Sequence, residues 1–264
     1  MKRYALITGA TAGIGKEFAQ QLARSGWNLV LVARRLNLLE EVSEQLSQDF
    51  NIEVTIIQAD LSQSVSVQNV YSTCQEKNLN VAMLVNNAGY GVPGDFEKNS
   101  WSRHKDSLNV MLNSVVELCY LFYPSMLDNK YGRIINVASL AGFAPPTAGH
   151  TLYGATKSFI IRFSHSLHLE AKEKGVHVTA LCPGFTYTEF HDVNGTRTMV
   201  SKLPKFMWMN VQDVVKQGII AVENNKAVKV NGRINRIIAA MSSALPDWLT
   251  RLLFAGKTNK YRKR

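Results

Sequence analysis

The fold of this chain is decided near its amino end by the stretch TGATAGIG, residues 8–15. A short apolar run, Tyr4–Thr8, leads into it, and an amphipathic segment of helix length, Ile14–Ser25, follows it. Glycine has no Cβ, so the chain can turn tightly here and other atoms can come close. A glycine-rich turn between a strand and a helix N-terminus is typical of a site that binds pyrophosphate. The stretch therefore predicts a dinucleotide site at the first strand-to-helix crossing.

The rest of the chain continues this alternation of short apolar runs and helix-length segments. The near-continuous apolarity of the runs suits strands covered on both faces. We therefore expect an α/β fold, a Rossmann-like doubly wound parallel sheet of about seven strands with helices on both faces. The strands are predicted at Tyr4–Thr8, Asn28–Ala33, Val54–Gln58, Val81–Asn86, Arg133–Ala138 and His177–Cys182, and the helices at Ile14–Ser25, Asn37–Phe50, Ser64–Glu76, Ser100–Met126 and Thr151–Lys174.

The composition is that of a chain that buries a full core. Of the 264 residues, 46% are hydrophobic and 19% are charged. We expect a single dinucleotide-binding and catalytic domain over 1–250, with a substrate loop at about 184–210, and a basic tail over 251–264. The first apolar run is too short for a signal peptide, and no run is expected to span a bilayer. Three scattered cysteines form no disulfide framework, which indicates a cytoplasmic location, and no metal site is expected.

The carboxyl-terminal tail is strongly basic. The formal net charge of the chain is +10, and the tail RLLFAGKTNKYRKR holds six Lys and Arg residues without an acid. It can be solvated, or it can contact anionic lipid or an acidic partner. The apolar residues of 237–254 raise a peripheral contact with a membrane or a carrier protein, or else cover for a pocket or a subunit contact. No nucleic-acid partner is expected, since helix-turn-helix and aromatic-basic patterns are missing.

Two arginines follow the second predicted strand. A site selective for NAD needs a carboxylate there to accept a bond from the ribose 2′-hydroxyl. No acidic residue occurs between Glu17 and Glu40. Arg34 and Arg35 are suited instead to a 2′-phosphate, and we expect Arg34 to be the nearer contact. The pair predicts NADP(H), although one of the two side chains could simply be solvated.

Tyr153 and Lys157 form a candidate acid–base pair. Their four-residue separation places them on one face of the predicted helix. A phenol titrates near 10, so it is a poor acid–base group at neutral pH unless a cation favours its ionised form. Lowering its pKa by about two units requires about 2.7 kcal/mol, which a nearby ammonium group together with the positively charged nicotinamide of an oxidised cofactor can supply. Alone, the pair could equally be two residues on a helix surface.

Six motifs in this order resemble the short-chain dehydrogenase/reductase family, and the match spans about residues 4–190. They are TGATAGIG, the Asn86–Gly89 stretch NNAG, Asn109, Ser139, the YGATK of 153–157, and Pro183-Gly184 with Thr188. The chain resembles single-domain, bacterial-type ketoreductases of that family that depend on NADP(H).

The resemblance implies a catalytic set of Asn109, Ser139, Tyr153 and Lys157. Ser139 would hydrogen-bond the substrate oxygen, and Tyr153 would donate the proton. Lys157 would support Tyr153 and contact the nicotinamide ribose. Asn109 would bind a water that links Lys157 to solvent, with Asn113 as the alternative residue.

The resemblance also implies residues that contact the cofactor and the substrate. Asp60 is one of the expected cofactor contacts, and the alternative for its side chain is to cap the following helix. The substrate loop at about 184–210 is rich in bulky side chains, which form either a lid over a hydrophobic pocket or core beneath the loop. These residues are Phe185, Tyr187, Phe190, Phe206, Met207, Trp208 and Met209. The expected cofactor contacts are Gly9, Thr11, Gly13, Ile14, Gly15, Arg34, Arg35, Asp60, Leu61, Asn87, Ala88, Gly89, Tyr153, Lys157, Pro183, Gly184 and Thr188, and the expected substrate contacts are Ser139, Tyr153, Phe185 and Phe190.

The function implied is an NADP(H)-dependent oxidoreductase that reduces a hydrophobic ketone or acyl-type carbonyl to an alcohol. The alternatives are a non-catalytic protein that senses NADP(H), and an epimerase or dehydratase that uses the same cofactor. The family resemblance also suggests a homodimer or homotetramer, in which the helices that hold Asn109 and Tyr153 pair across the interface.

Overall fold

Seven parallel strands form the central sheet of the computed structural model, which describes residues 2–146, 148–188, 204 and 207–245. The strands are β1 Arg3–Thr8, β2 Asn28–Ala33, β3 Val54–Gln58, β4 Asn80–Asn86, β5 Gly132–Val137, β6 Val176–Cys182, the short pair β7 Phe185–Thr186 and β8 Trp208–Met209, and β9 Val228–Val230. The strand order of the central sheet is β3-β2-β1-β4-β5-β6-β9, so the order reverses between β1 and β4. This reversal leaves a crevice at the carboxyl ends of the strands, where open α/β sheets bind ligands.

Helices connect the strands, and the five predicted helices start close to the predicted positions, whereas the helices Val211–Glu223 and Arg233–Ala244 have no counterpart in the prediction. Among the predicted helices the largest difference lies in Ser100–Met126, which contains a π-helical turn at Asn109–Asn113 between two α-helical parts. The helices are α1 Gly13–Arg24, α2 Leu36–Phe50, α3 Ser66–Glu76, α4 Trp101–Leu108, α5 Ser114–Asp128, α6 Thr151–Ala171, α7 Val211–Glu223 and α8 Arg233–Ala244.

Each face of the sheet packs against its own group of helices. On one face, Phe18 of α1 and Leu39 of α2 pack with Met83 of β4 and with α7. On the other face, Leu118 and Phe122 of α5 pack with strand residues and with α3 and α6. The predicted α/β fold, with helices on both faces of a parallel sheet, is confirmed.

The rod formed by α4, the π turn and α5 is more apolar than the sequence analysis expected. Over residues 101–128 it is long and apolar enough to cross a bilayer, with a mean hydropathy of 1.3 in its most apolar window. Of that window, 44% is buried inside the fold, where Leu118, Cys119 and Phe122 pack under the sheet. The core helix of a globular fold can have the same length and composition, so these two properties are weak evidence for a membrane span.

Candidate active site

A cavity of about 1050 Å³ opens at the carboxyl ends of the strands. It extends from the glycine turn after β1 to the loop after β5 and the start of α6. Most of the residues singled out from the sequence lie on its wall. These are Gly9, Thr11, Gly13, Ile14, Arg34, Arg35, Asp60, Leu61, Asn87, Ala88, Gly89, Ser139, Tyr153, Lys157, Pro183, Gly184, Phe185 and Thr188.

The glycine turn is shaped by contacts that leave no room for side chains. Gly9 has φ +66 and Gly13 has φ +54, a backbone conformation that favours glycine. A Cβ on Gly15 would lie 2.2 Å from the Gly9 carbonyl oxygen and 2.5 Å from Asn87 Nδ2. Gly15 was expected to contact the cofactor, but it is not part of the cavity wall. Its missing side chain instead allows the turn to close behind the wall.

Hydrogen bonds hold the ends of β1 and β4 together beneath this turn. The backbone N–H groups of Asn87 and Ala88 donate to Thr8 Oγ1 at 2.9 and 3.0 Å. In return, Asn87 Nδ2 donates to the Thr8 carbonyl oxygen at 2.9 Å. The NNAG stretch thus fixes the floor of the cavity.

The N-terminus of α1 opens onto the cavity beside the glycine turn. Its N-cap residue Ala12 supplies no side-chain cap, and Ala12, Gly13 and Ile14 all line the wall. Uncapped N–H groups at a helix N-terminus, with the positive end of the helix dipole, favour an anion such as pyrophosphate. The turn and the helix start therefore fit the diphosphate of a dinucleotide.

Positive charge lines the cavity past the end of β2. Arg34 and Arg35 are exposed to solvent, and Arg35 Nη2 donates to Thr11 Oγ1 at 3.4 Å. Asp60 also lines this region, and its Oδ1 accepts a bond from the Ser62 N–H at 3.0 Å. Asp60 does not cap the next helix, because the N-cap residue of α3 is Val65. Two guanidinium groups next to the glycine turn fit the 2′-phosphate of NADP(H).

Tyr90 is a wall residue that the sequence analysis missed. It lines the cavity directly after the NNAG stretch. Burial raises its pKa, helped by the Asp106 carboxylate, whereas the Arg34 guanidinium opposes the rise. The electrostatic effect of Arg34 places Tyr90 on the arginine side of the cavity. Its position directly after NNAG was the available sequence signal.

Ser139, Tyr153 and Lys157 come together on the opposite part of the wall. Ser139 follows β5, and Tyr153 and Lys157 lie in the first two turns of α6. The Ser139 hydroxyl and the Tyr153 phenol are hydrogen-bonded. Lys157 Nζ donates to the Val137 carbonyl oxygen at 2.8 Å and lies 5.8 Å from the centre of the Tyr153 ring. This arrangement can hold a carbonyl oxygen and deliver a proton to it.

Burial dominates the electrostatics of this group. It raises the pKa of Tyr153, and the hydrogen bond from Ser139 lowers that pKa by less. It also lowers the pKa of Lys157 to about 8, because an ammonium is costly away from water. The expected lowering of the Tyr153 pKa by Lys157 is therefore not found in the protein alone. The phenol is held protonated, as a proton donor must be.

The structure does not bring the Asn109 side chain to this group. Asn109 Nδ2 donates to the Ser62 carbonyl oxygen at 2.8 Å, and Asn109 Oδ1 accepts from Asn113 Nδ2 at 2.8 Å. Asn113 is exposed, and neither residue is part of the cavity wall. Both lie in the π turn, which changes the direction in which successive residues face. The prediction assumed a regular α-helix there, and no sequence signal marks the turn.

The remaining wall, on the substrate side, is largely apolar. Phe185 lines it, while Trp208 stacks on the partly exposed Tyr187 with ring centres 4.8 Å apart at the base of the loop. Met209 packs against the core instead. The loop therefore supplies both wall and core within the described residues, and Phe190 and Phe206 lie outside them.

Known proteins are similar to this chain in sequence and in architecture. The short chain dehydrogenase family model matches residues 3–197. A very-long-chain 3-oxoacyl-CoA reductase of Bos taurus is 31% identical over 255 residues, which cover 93% of this chain and 76% of the relative. A solved short-chain dehydrogenase from Sphingobium yanoikuyae, in complex with NADPH, has a TM-score of 0.80 and 28% identity, covering 93% of this chain and 97% of its own.

A second solved structure carries a comparable likeness. The bulky-bulky ketone specific alcohol dehydrogenase from Comamonas testosteroni has a TM-score of 0.76 and 28% identity, over 93% of this chain and 95% of its own. Together with the family match and the site geometry, these likenesses confirm the family that the motifs suggested. The chain belongs to the short chain dehydrogenase family.

Proposed function

We propose that this protein is an NADP(H)-dependent oxidoreductase that reduces a carbonyl to an alcohol, with Tyr153 as the proton donor. The observation that carries the proposal is that Ser139, Tyr153 and Lys157 share one cavity with the glycine turn and the two arginines. A hydrogen-bonded serine–tyrosine pair on the cavity wall is suited to polarise a carbonyl and protonate it. The relatives, which are named reductases and dehydrogenases, support the same reaction class.

Each residue of the group has a distinct task. The Ser139 hydroxyl donates a hydrogen bond to the carbonyl oxygen and holds that oxygen beside Tyr153. The hydride for the carbonyl carbon would come from NADPH when it is bound. Tyr153 then transfers its phenolic proton to the same oxygen, which becomes the alcohol hydroxyl. The ammonium of Lys157 stabilises the phenolate that Tyr153 becomes in this transfer.

The cofactor of the chain is NADP(H). The glycine turn and the start of α1 would hold the pyrophosphate, and Arg34 with Arg35 would hold the 2′-phosphate. Asn87, Ala88 and Gly89 would form the floor beneath the cofactor. Pro183-Gly184 and Thr188, after β6, would hold the nicotinamide. The related structure in complex with NADPH supports this assignment.

The substrate is a hydrophobic ketone or an acyl-type carbonyl compound. The apolar loop after β5 and Phe185 support this class, because an apolar wall favours an apolar ligand. The names of two relatives, one acting on very-long-chain 3-oxoacyl-CoA and one specific for bulky ketones, also support it.

The proposal includes an assembly and a location. Large apolar side chains are exposed on α4, α5 and α6, including Trp101, Tyr120 and Leu169, and support a homodimer or homotetramer through these helices. Ile234, Ile237 and Met241 are exposed on α8 and support a peripheral contact with a membrane or carrier. The basic tail 251–264 lies outside the described residues. We place the protein in the cytoplasm, with 1–250 as its catalytic domain.

Oxidation of NADPH by the purified protein tests the function. A panel of ketones and 3-oxo esters of graded chain length is offered, and consumption of NADPH is followed with NADH as the comparison. We expect consumption to rise with apolar chain length and to be faster with NADPH. A sensing protein would bind NADPH without turnover on any substrate. An epimerase or dehydratase would change its substrate without net consumption of NADPH.

A further inference from the structure

His150 occupies a special place on the substrate side of the cavity. It is the N-cap residue of α6, three positions before Tyr153, and it lines the cavity wall. Its imidazole meets the Tyr153 ring edge-to-face, with ring centres 6.0 Å apart and planes at 77°. A group held against Tyr153 in this way would also lie near a carbonyl that Tyr153 protonates.

Few polar side chains line the cavity near His150. Thr151 and Ser158 of α6 also line the cavity, and both are exposed to solvent. Within the described residues of the loop after β5, at 139–146 and 148–150, polar side chains occur at Ser139 and His150 alone. Ser139 is committed to the reacting oxygen together with Tyr153. Between them lie apolar wall residues, Leu140, Ala141, Ala144, Pro145, Pro146 and Ala148. A second substrate oxygen that faces this described part of the loop would therefore meet His150.

The protonation state of His150 determines what it recognises. Burial lowers its pKa below the ordinary value, so the imidazole is neutral at pH 7 and above. A neutral imidazole has one N–H donor and one acceptor nitrogen and carries no charge. It suits a carbonyl or hydroxyl oxygen, and it offers little to a carboxylate, which a cation would bind better.

The backbone holds His150 in place before any substrate binds. The Gly94 N–H donates to the Gly149 carbonyl oxygen at 3.0 Å, which ties this segment to the loop after β4. The His150 carbonyl oxygen accepts from the Gly154 N–H at 3.5 Å in the first turn of α6. A residue fixed in this way can select among ligands, because little ordering is needed on binding.

We infer that His150 is a specificity-determining residue that hydrogen-bonds a second, uncharged oxygen of the substrate next to the reacting carbonyl. The preferred substrate is then a ketone with an apolar chain and a neighbouring neutral oxygen function, such as a 3-oxo ester or thioester. This inference rests on the proposed carbonyl reduction and names the substrate class of the same site.

Two substrates of equal chain length test the inference, a plain alkyl ketone and the matching 3-oxo ester. The measured quantity is the ratio of their kcat/KM values with saturating NADPH. In His150→Phe, which keeps a ring but has no hydrogen-bonding atom, the ester-to-ketone ratio should fall about tenfold, the equivalent of one hydrogen bond. In His150→Gln, which again offers a donor and an acceptor, most of the ratio should return.

A matched control separates specificity from structure. His165→Phe makes the same exchange at an exposed position of α6, and the ratio should stay at the wild-type value. A parallel loss on both substrates in His150→Phe, with the ratio unchanged, would overturn the inference while leaving the proposed function intact. A wild-type kcat/KM that is higher for the plain ketone than for the 3-oxo ester would also overturn the inference and leave the proposed function intact. Failure of wild type on both substrates, and on the wider ketone panel, would instead refute the proposed function itself.

Discussion

Gly13 and His150 lie on opposite halves of the same cavity and shape it by different means. The cofactor half contains the glycine turn, Arg34-Arg35 and the NNAG stretch, and its form comes from backbone turns and missing side chains. The substrate half contains the wall of 139–150 and Phe185, and its form comes from the side chains that are present. Defects in the first half should therefore appear in cofactor affinity, and defects in the second in turnover and substrate choice.

The largest effect is expected where the two halves meet, at Lys157. Lys157→Met should lower kcat for ketone reduction about 10³-fold, since the Tyr153 phenolate loses its neighbouring charge. The same change should raise stability at pH 7 by about 1–3 kcal/mol, because a buried ammonium is removed. Denaturant unfolding and steady-state kinetics measure the two effects.

The pH dependence of this stability gain has a definite sign. The pKa of Lys157 is lowered to about 8 in the folded protein, below its value in the unfolded chain. Between the two pKa values the unfolded chain binds more protons, so the wild-type protein gains stability as pH rises above about 8. The gap between Lys157→Met and wild type should therefore narrow at pH 9. The exposed Lys172→Met is the control, and a gap that widens would contradict the account.

The glycine turn tests the cofactor half. Gly15→Ala places a Cβ against the Gly9 carbonyl oxygen and the Asn87 amide, so the turn must open. The Kd for NADPH should rise at least about tenfold, and the melting temperature should fall by several degrees. Gly26→Ala is the control for NADPH affinity, because Gly26 is not part of the cavity wall and its Cβ would meet nothing within 4 Å. Its φ of +79 disfavours alanine, so this control should lose stability without losing NADPH affinity. Unchanged NADPH affinity in Gly15→Ala would show that the turn does not hold the cofactor.

Charge on the cofactor half sets the choice between NADPH and NADH. In Arg34→Asp, the preference for NADPH over NADH in Kd should fall about tenfold or more, since a charged hydrogen bond is replaced by repulsion. Titration of both cofactors measures the ratio. A preference that stays at the wild-type value would remove Arg34 from the site and leave Arg35 as the contact.

The smallest effect is expected at Asn109. Its side chain bonds the Ser62 carbonyl oxygen rather than reaching Lys157, so Asn109→Ala should change kcat by less than about threefold. Loss of the Ser62 contact should cost about 1 kcal/mol of stability. A loss of kcat comparable to that of Lys157→Met would restore the role that the family resemblance implied.

The sequence predicts the cofactor half better than the substrate half, and the difference has a physical cause. TGATAGIG, NNAG and the missing acid after β2 reflect backbone and charge requirements that hold at fixed spacings. The π turn at Asn109–Asn113 has no such signature, so the direction of the Asn109 side chain could not be predicted. On the substrate half, His150 reaches the cavity through the packing of the loop after β5, which depends on the whole fold.

The pKa of Tyr153 shows a similar limit. The four-residue spacing to Lys157 correctly predicts that the two side chains share a helix face. It carries no information about desolvation, which raises the phenol pKa and lowers that of the ammonium. The strength of each effect depends on what covers α6, and only the folded structure shows this.

The most direct test of the central claim is single-turnover reduction of a ketone by Tyr153→Phe with NADPH bound. The account predicts that NADPH oxidation slows by about 10³-fold, because the proton donor is gone. The Kd for NADPH should stay within about twofold of wild type, since the ring and the glycine turn are unchanged. Tyr120→Phe, exposed on α5, should match wild type in both quantities. A wild-type rate of NADPH oxidation in Tyr153→Phe would contradict the account.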